Sequence, residues 1–221
     1  MPRPEPRTGA HGLVLAAGAG RRFGGGKLVA PLCGKPLIAW SLESALAANV
    51  DRVIVVLGCD ADAVEAALAP YAGPRLEFAV CPDWREGMAA SLRYGVAALP
   101  DGCPAALVLL GDMPVIDPAI ADVVLGRVLA GAVACQPSFE GRPGHPVALS
   151  RTIFGSVATL RGDVGARALL RGTAALDLVP TDDPGCVLDA DTAADHAMLV
   201  SHIARQVERL RRHAGAAPVG T

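Results

Sequence analysis

Apolar residues fall into two kinds of segment along the chain, and this pattern predicts the secondary structure of the first 130 residues. Short apolar runs of strand length are followed by longer segments with helical spacing. The predicted strands are Gly12–Ala17, Arg52–Gly58, Arg75–Val80 and Ala105–Leu110, and the predicted helices are Leu37–Ala47, Ala61–Leu68, Met88–Leu99 and Pro118–Leu129. Strands that alternate with helices pair in parallel, so we expect a sheet covered on both faces.

The second half of the chain has a less regular pattern. It predicts strands at Ala132–Cys135, Pro146–Leu149 and Leu176–Val179, and helices at Arg151–Thr159, Gly165–Leu170 and Thr192–Arg212. A chain of 221 residues is long enough for one sizeable core. We therefore expect a single domain over residues 11–213, with flexible tails at 1–10 and 214–221.

Composition narrows the class of partner. The chain is 52% hydrophobic and 19% charged, has a net charge of −2, and has no run of eighteen uncharged apolar residues. Its six widely spaced cysteines form no metal-binding or disulfide pattern and are expected to be small buried residues. We expect a soluble, cytoplasmic protein that binds small molecules and neither nucleic acid nor membrane.

Three segments that follow apolar runs carry residues suited to binding or catalysis. They are Gly18–Lys27 after the first strand, Gly111-Asp112 after the fourth, and the acidic stretch Asp189–Asp195. In open α/β sheets, ligands bind outside the carboxyl ends of the strands. These three segments are therefore the expected functional site.

The glycine-rich segment fits neither of two familiar phosphate-binding patterns. The dinucleotide fingerprint requires a glycine where Phe23 stands. The P-loop requires a glycine where Arg21 stands and a hydroxyl where Leu28 stands. The spacing LxxGxxxRxGxxK fits instead, with Leu15, Gly18, Arg22, Gly24 and Lys27. Its glycines let backbone N–H groups approach a triphosphate, and its two cations neutralise the departing pyrophosphate.

The segment LAAGAGRRFGGGK resembles the signature of the MobA/MocA-like nucleotidyltransferase family, and it is most similar to the molybdenum cofactor cytidylyltransferase and guanylyltransferase branch. The resemblance implies a three-layer, Rossmann-like α/β fold of the nucleotide-diphospho-sugar transferase type, with a mainly parallel mixed sheet. It continues in order along the chain through DWREGMAASLRYGV, LLGDMP, GRPGHPV, LRGDVGAR and DADTAAD.

The resemblance also implies roles for individual residues. Arg22, Lys27 and Asp112 would be catalytic, and Asp112 would hold Mg²⁺ with Asp191 or Asp189. The nucleotide would contact Leu15, Ala16, Ala17, Gly18, Gly24, Gly87 and Ser91, and the acceptor would contact His145, Asp163 and Arg167. The family commonly has serine at Gly20, methionine at Phe23, and proline and glutamate at Ala193 and Ala194. The alanine form of the LAAG motif goes with cytidine, so Ala17 implies CTP.

The implied reaction needs little protein chemistry. A phosphate monoester, whose second pKa is about 6, is already an anion and attacks the α-phosphorus of a nucleotide without a protein base. Mg²⁺ prefers hard oxygen ligands and needs only one or two carboxylates. Asp189 and Asp191 are two residues apart, a spacing that in an extended segment points both side chains to one side.

Each assigned polar residue also has a structural alternative. Asp112 could satisfy its own backbone in a turn, and Asp189 or Asp191 could cap the last helix. The alternatives for the acceptor residues are that His145 packs in the core and that Asp163 and Arg167 form a helix-surface ion pair.

Three functional hypotheses follow. The first is a Mg²⁺-dependent cytidylyltransferase of class EC 2.7.7 that transfers CMP from CTP to the phosphate of molybdopterin and releases pyrophosphate. The second replaces the substrates with GTP or with a sugar or alcohol phosphate. The third is a non-catalytic accessory protein that delivers the phosphorylated pterin to a molybdoenzyme.

Overall fold

A computed structural model describes residues 8–163, 165, 176–192 and 194–204. Its strands are β1 His11–Ala16, β2 Pro31–Leu32, β3 Lys35–Pro36, β4 Val53–Leu57, β5 Leu76–Val80, β6 Ala105–Leu110, β7 Ala134–Phe139, β8 Arg142–Pro143, β9 Val147–Ser150 and β10 Leu176–Pro180. Its helices are α1 Leu37–Ala47, α2 Ala61–Leu68, α3 Met88–Ala97, α4 Pro118–Leu129 and α5 Phe154–Val157. Residues 194–204 are also helical.

Within the described residues, one large mixed sheet organises the molecule. The strand order is β10-β7-β9-β6-β1-β4-β5, and β8 pairs with β7. β1 lies between β4 and β6 and is parallel to both, whereas β9 is antiparallel to β6 and β7. All six residues of β1 are buried. The carboxyl ends of β1, β4 and β6 therefore meet at one edge of the sheet.

Helices cover both faces of the sheet and give it three layers. On one face, α1, α2 and α4 bury Leu42, Leu68 and Leu125 against the strands. On the other face, α3 and α5 do the same with Leu92 and Val157. The three-layer α/β fold with a mainly parallel mixed sheet is confirmed.

The predicted elements of the first half agree closely with the observed ones, and the second half differs. β7 continues four residues beyond the predicted end at Cys135. The prediction ended early because Gln136 and Ser138 are polar, yet both are buried in the strand. The predicted helix Arg151–Thr159 is a 3-10 turn followed by the single-turn α5. The predicted helix Gly165–Leu170 lies outside the described residues except for Gly165.

Several smaller features differ from the expectations or add to them. Residues 8–10 are anchored before β1, since the Thr8 hydroxyl donates to the Asn49 carbonyl and Ala10 is fully buried. All six cysteines are free thiols, but Cys33 and Cys59 are exposed, so the expectation of burial is wrong for these two. Among the described helices, none is both long enough and apolar enough to cross a membrane.

Candidate active site

The loop after β1 bends sharply twice before α1. Gly20 and Gly26 have φ angles of 55° and 62°, and each precedes a 3-10 turn, Arg21–Phe23 and Lys27–Val29. A Cβ at position 20 would lie 2.9 Å from the Cβ of Lys27, so the loop folds back on itself too closely for a larger residue. This bend directs the Lys27 side chain toward the end of β6.

Four charged side chains from three distant segments meet at this edge of the sheet; we name them the charge cluster. The Lys27 ammonium lies 2.7 Å from Asp112 Oδ2 and 3.1 Å from Asp191 Oδ1. Arg22 Nη1 lies 2.8 Å from the other oxygen of Asp191. Asp112 follows β6, and its carbonyl accepts a hydrogen bond from Ala190 N–H, which fixes the position of Asp191 beside it.

The charge cluster shifts the acid–base properties of its members. Burial alone lowers the pKa of Lys27, but attraction and hydrogen bonds from Asp112 and Asp191 outweigh burial, and the pKa is raised. The Lys27 hydrogen bond lowers the pKa of Asp191, and the charges of Lys27 and Arg22 lower it further. The Lys27 ammonium and the Asp191 carboxylate are therefore both charged near neutral pH.

Asp189 has a different environment from Asp191. Its carboxyl group is partly desolvated although the residue is exposed, and this burial, followed by the charges of Asp191 and Asp112, raises its pKa. Asp191 lines the cavity described below and contacts Lys27, whereas Asp189 does neither. Of the two alternatives, Asp191 is the carboxylate that shares the Lys27 ammonium with Asp112.

A cavity of about 510 Å³ lies above the carboxyl end of β1. The residues assigned from the sequence that line it are Leu15, Ala16, Ala17, Gly18, Arg22, Lys27, Gly87, Ser91, Asp112, Asp163 and Asp191. Gly24, Asp189 and His145 do not line it, and Arg167 lies outside the described residues. The glycine-rich loop, the end of β6 and the start of α3 thus form one site.

The sequence reasoning missed part of the cavity wall. The lining residues to which it assigned no individual role are Ala19, Gly20, Arg21, Leu28, Trp84, Arg85, Glu86, Met88 and Leu110. The Arg85 guanidinium stacks on the Trp84 ring at 4.5 Å. These two residues lie two and three positions before the assigned Gly87, between β5 and α3, so their position was a usable signal.

His145 belongs to a different environment. Its backbone N–H donates to the Cys186 carbonyl at 2.7 Å, and a Cβ at Gly144 would lie 2.3 Å from that same oxygen. The GRPGHPV motif therefore packs against the 3-10 turn Pro184–Val187. His145 in this motif does not line the cavity.

Ala17 lines the cavity and is also almost fully buried by its neighbours. It is only 4% exposed, and its carbonyl accepts a hydrogen bond from Cys59 N–H. A Cβ at Gly58 would lie 2.6 Å from both the Cβ and the carbonyl oxygen of Ala17. The loops after β1 and β4 are therefore in direct contact, and the Ala17 methyl group lies at that contact.

We expect Gly58→Ala to destabilise the protein by about 1–3 kcal/mol, because the added methyl group meets backbone atoms of Ala17 that cannot move independently. Chemical denaturation measures the change in the free energy of unfolding. Gly126→Ala is the matched control: Gly126 lies within α4 with no atom near its Cβ position, and alanine there should stabilise by roughly 0.5–1 kcal/mol. Equal stabilities of the two variants would contradict the close contact.

The carboxylates of the charge cluster suit a divalent cation. Asp112 and Asp191 approach one ammonium group from two chain segments, and carboxylate oxygens are the hard ligands that Mg²⁺ prefers. Among the described residues no group of three or more His, Cys, Asp or Glu side chains forms a metal site. Two carboxylates suffice when phosphate and water complete the shell.

The fold and site define a nucleotide-binding α/β transferase, with phosphate-binding groups at the carboxyl ends of parallel strands. Residues 12–179 match the MobA-like NTP transferase domain, and the chain belongs to this family. It is a nucleotidyltransferase. Enzymes of this family use divalent metal ions and nucleoside triphosphates.

Three known proteins illustrate the likeness. The purine catabolism protein PucB of Bacillus subtilis is 33% identical over 195 residues, 85% of this chain and 94% of its own. Nicotine blue oxidoreductase of Paenarthrobacter nicotinovorans is 35% identical over 196 residues, 82% and 91% of the two chains. Rv0371c of Mycobacterium tuberculosis H37Rv is 32% identical, with a TM-score of 0.78 over 87% of this chain and 97% of its own. Rv0371c has also been solved in complex with manganese.

Proposed function

We propose that this protein is a Mg²⁺-dependent cytidylyltransferase that transfers CMP from CTP to the phosphate of a molybdopterin cofactor and releases pyrophosphate. The observation that carries the proposal is the convergence of Lys27, Asp112 and Asp191 beside the glycine-rich loop in one cavity. The substrates follow from the similarity of the motifs to the molybdenum cofactor branch. A molybdoenzyme would then receive the finished dinucleotide.

The phosphate-binding half of the site follows from its charges. Backbone N–H groups around Gly18 and the side chains of Arg22 and Lys27 would bind the triphosphate. Lys27 is 90% buried as a side chain, so it offers a poorly hydrated ammonium group whose attraction for phosphate oxygens is little screened. On nucleotide binding, phosphate oxygens would compete with the two carboxylates for this ammonium.

The metal half of the site is assigned to the carboxylates. Asp112 and Asp191 would hold the Mg²⁺, which supplies positive charge against the phosphate oxygens when bound. The acceptor phosphate is already an anion and attacks the α-phosphorus, so the protein needs no general base. Orientation and charge neutralisation are the contributions that remain for the protein.

The nucleotide preference is tested with a panel of CTP, GTP, ATP and UTP in the presence of Mg²⁺. Pyrophosphate release is measured with and without the phosphorylated pterin cofactor. We expect release with CTP and cofactor together, and little with either alone. Release with GTP but not CTP would assign the guanylyl branch, and release only with a sugar or alcohol phosphate would replace the acceptor.

A non-catalytic role is tested by the same assay. If the protein binds the pterin cofactor but releases no pyrophosphate with any nucleotide, it is an accessory protein and the proposal fails. If pyrophosphate release persists in a chelator-treated sample without added metal, the proposed Mg²⁺ requirement is wrong, whereas the transfer reaction still stands.

A further inference from the structure

Helix α3 begins beside the cavity without a cap of its own. Its N-cap position is Gly87, which has no side chain and makes no side-chain cap hydrogen bond. The first four N–H groups of a helix lack partners within the helix, and Ser, Thr, Asp or Asn at the N-cap normally accepts from one of them. The first turn of α3 must therefore find acceptors elsewhere in the chain.

The segment 160–163 supplies these acceptors. Asp163 Oδ1 accepts a hydrogen bond from Met88 N–H at 3.3 Å, across 75 positions in sequence. The Gly162 carbonyl accepts one from Ala89 N–H at 3.1 Å. Further along α3, Arg93 Nη1 donates to the Leu160 carbonyl at 2.7 Å. Three hydrogen bonds thus join this segment to α3.

Gly87 leaves the space that the segment fills. A Cβ at this position would lie 2.6 Å from Asp163 Oδ1 and 2.7 Å from the carbonyl carbon and oxygen of Gly162. The φ angle of Gly87 is also 107°, a conformation that side chains disfavour. The absence of a side chain at residue 87 and the carboxylate at residue 163 are therefore parts of one arrangement.

The start of α3 is also part of the cavity wall. Gly87, Met88 and Ser91 line the cavity, and Ser91 is only 5% exposed in the first turn of the helix. A shift of this turn changes the position of all three residues relative to the glycine-rich loop. The three bonds between segment 160–163 and α3 thus fix one wall of the cavity.

We propose that Asp163 is a positioning residue, which caps α3 from a distant segment and thereby holds Gly87 and Ser91 in place for the nucleotide. This role replaces the acceptor contact that the resemblance implied for Asp163. The inference rests on the proposed function in one respect: the nucleotide must occupy this cavity. The motif LRGDVGAR is then joined to the nucleotide half of the site at the first turn of α3.

The test measures the Kd of CTP with Mg²⁺ by calorimetry, without acceptor, so that no turnover occurs. We expect Asp163→Ala to raise the Kd by about 3- to 30-fold, the range that loss of an N-cap acceptor predicts. Asp163→Asn should stay within about 2-fold of the wild type, because its amide oxygen accepts the same bond. The KM for the acceptor and the kcat with both substrates saturating should change little.

Two further variants separate positioning from general destabilisation. Asp117 caps α4 through Ala119 N–H at 2.8 Å and does not line the cavity. Asp117→Ala should lower stability as a cap deletion does, yet leave the Kd of CTP unchanged. Arg93→Ala should raise the Kd of CTP. The double variant with Asp163→Ala should raise it by less than the product of the two single fold-changes, because both substitutions loosen the same segment.

The outcomes distinguish this inference from the proposed function. Equal affinity of Asp163→Ala and wild type for CTP would overturn the inference alone. The inference would also be overturned if Asp163→Asn bound CTP as weakly as Asp163→Ala and both variants had a raised KM for the acceptor. In that case the charge of the carboxylate would contact the acceptor. A wild type that binds none of the four nucleotides would overturn both. Should Asp163→Ala not fold, Arg93→Ala tests whether loosening segment 160–163 weakens CTP binding, and Glu86→Gln controls for the ion pair that Arg93 also makes.

Discussion

Replacement of Asp112 by alanine is expected to lower kcat for pyrophosphate release by about 10²- to 10³-fold, the loss typical of removing one group that stabilises charge in the transition state. Asp112 is the carboxylate closest to Lys27 and follows the central strand β6. Its loss would leave Asp191 as the single carboxylate of the charge cluster. The measurement is steady-state turnover at saturating substrates.

A control variant and a metal titration test whether the effect of Asp112→Ala arises at the metal site. Asp182→Ala removes an exposed aspartate outside the cavity and should leave kcat unchanged. Titration with Mn²⁺ in the presence of nucleotide should show weaker metal binding in Asp112→Ala. If Asp112→Ala keeps full activity, Asp112 is a structural turn residue and the metal assignment is wrong.

Lys27→Met should lower kcat/KM for the nucleotide by about 10²- to 10³-fold, because the charge that faces the phosphates is removed from a buried position. A second effect of opposite direction is expected on the metal. The ammonium occupies the same two carboxylates that would bind the cation, so Mn²⁺ without nucleotide should bind Lys27→Met more tightly than wild type. Steady-state kinetics measures kcat/KM for the nucleotide, and isothermal titration measures the affinity of each protein for Mn²⁺.

The chain offers a well-matched control for this variant, since Lys35 is its other lysine. Lys35 lies outside the cavity, paired with Glu43 and stacked on Trp40. Lys35→Met should leave nucleotide and metal affinities unchanged. A similar loss of activity in both variants, or weaker Mn²⁺ binding by Lys27→Met, would contradict the role given to the charge cluster.

Local patterns predicted the strands and helices of the first half because each apolar run there is bounded by polar residues. They also placed Lys27 and Asp112 after two strands. That these residues meet depends on β6 being the neighbour of β1, which is a property of the sheet. The choice between Asp189 and Asp191 depended on which of them contacts Lys27, a contact across 164 positions that no spacing rule contains.

Some assignments needed the three-dimensional structure for a physical reason. Asp163 bonds to Met88, a partner 75 positions away, whereas the sequence offered the acceptor or the neighbour four residues further on. The contact between Ala17 and Gly58 also needed the structure, because it joins the loops after two different strands. Polar residues inside β7 hid the length of that strand, because the apolar run by which a buried strand is recognised ends at Cys135.

The charge cluster joins the two ends of the described chain. Asp191 follows Arg22 by 169 positions and Lys27 by 164. During synthesis, the glycine-rich loop leaves the ribosome long before its carboxylate partner exists, so a partial chain cannot offer the complete site to a nucleotide. Occupancy by nucleotide would then favour only the finished fold and would raise its free energy of unfolding with the logarithm of ligand concentration. Substrate supply and survival of the enzyme in the cell would thus be coupled through this late contact.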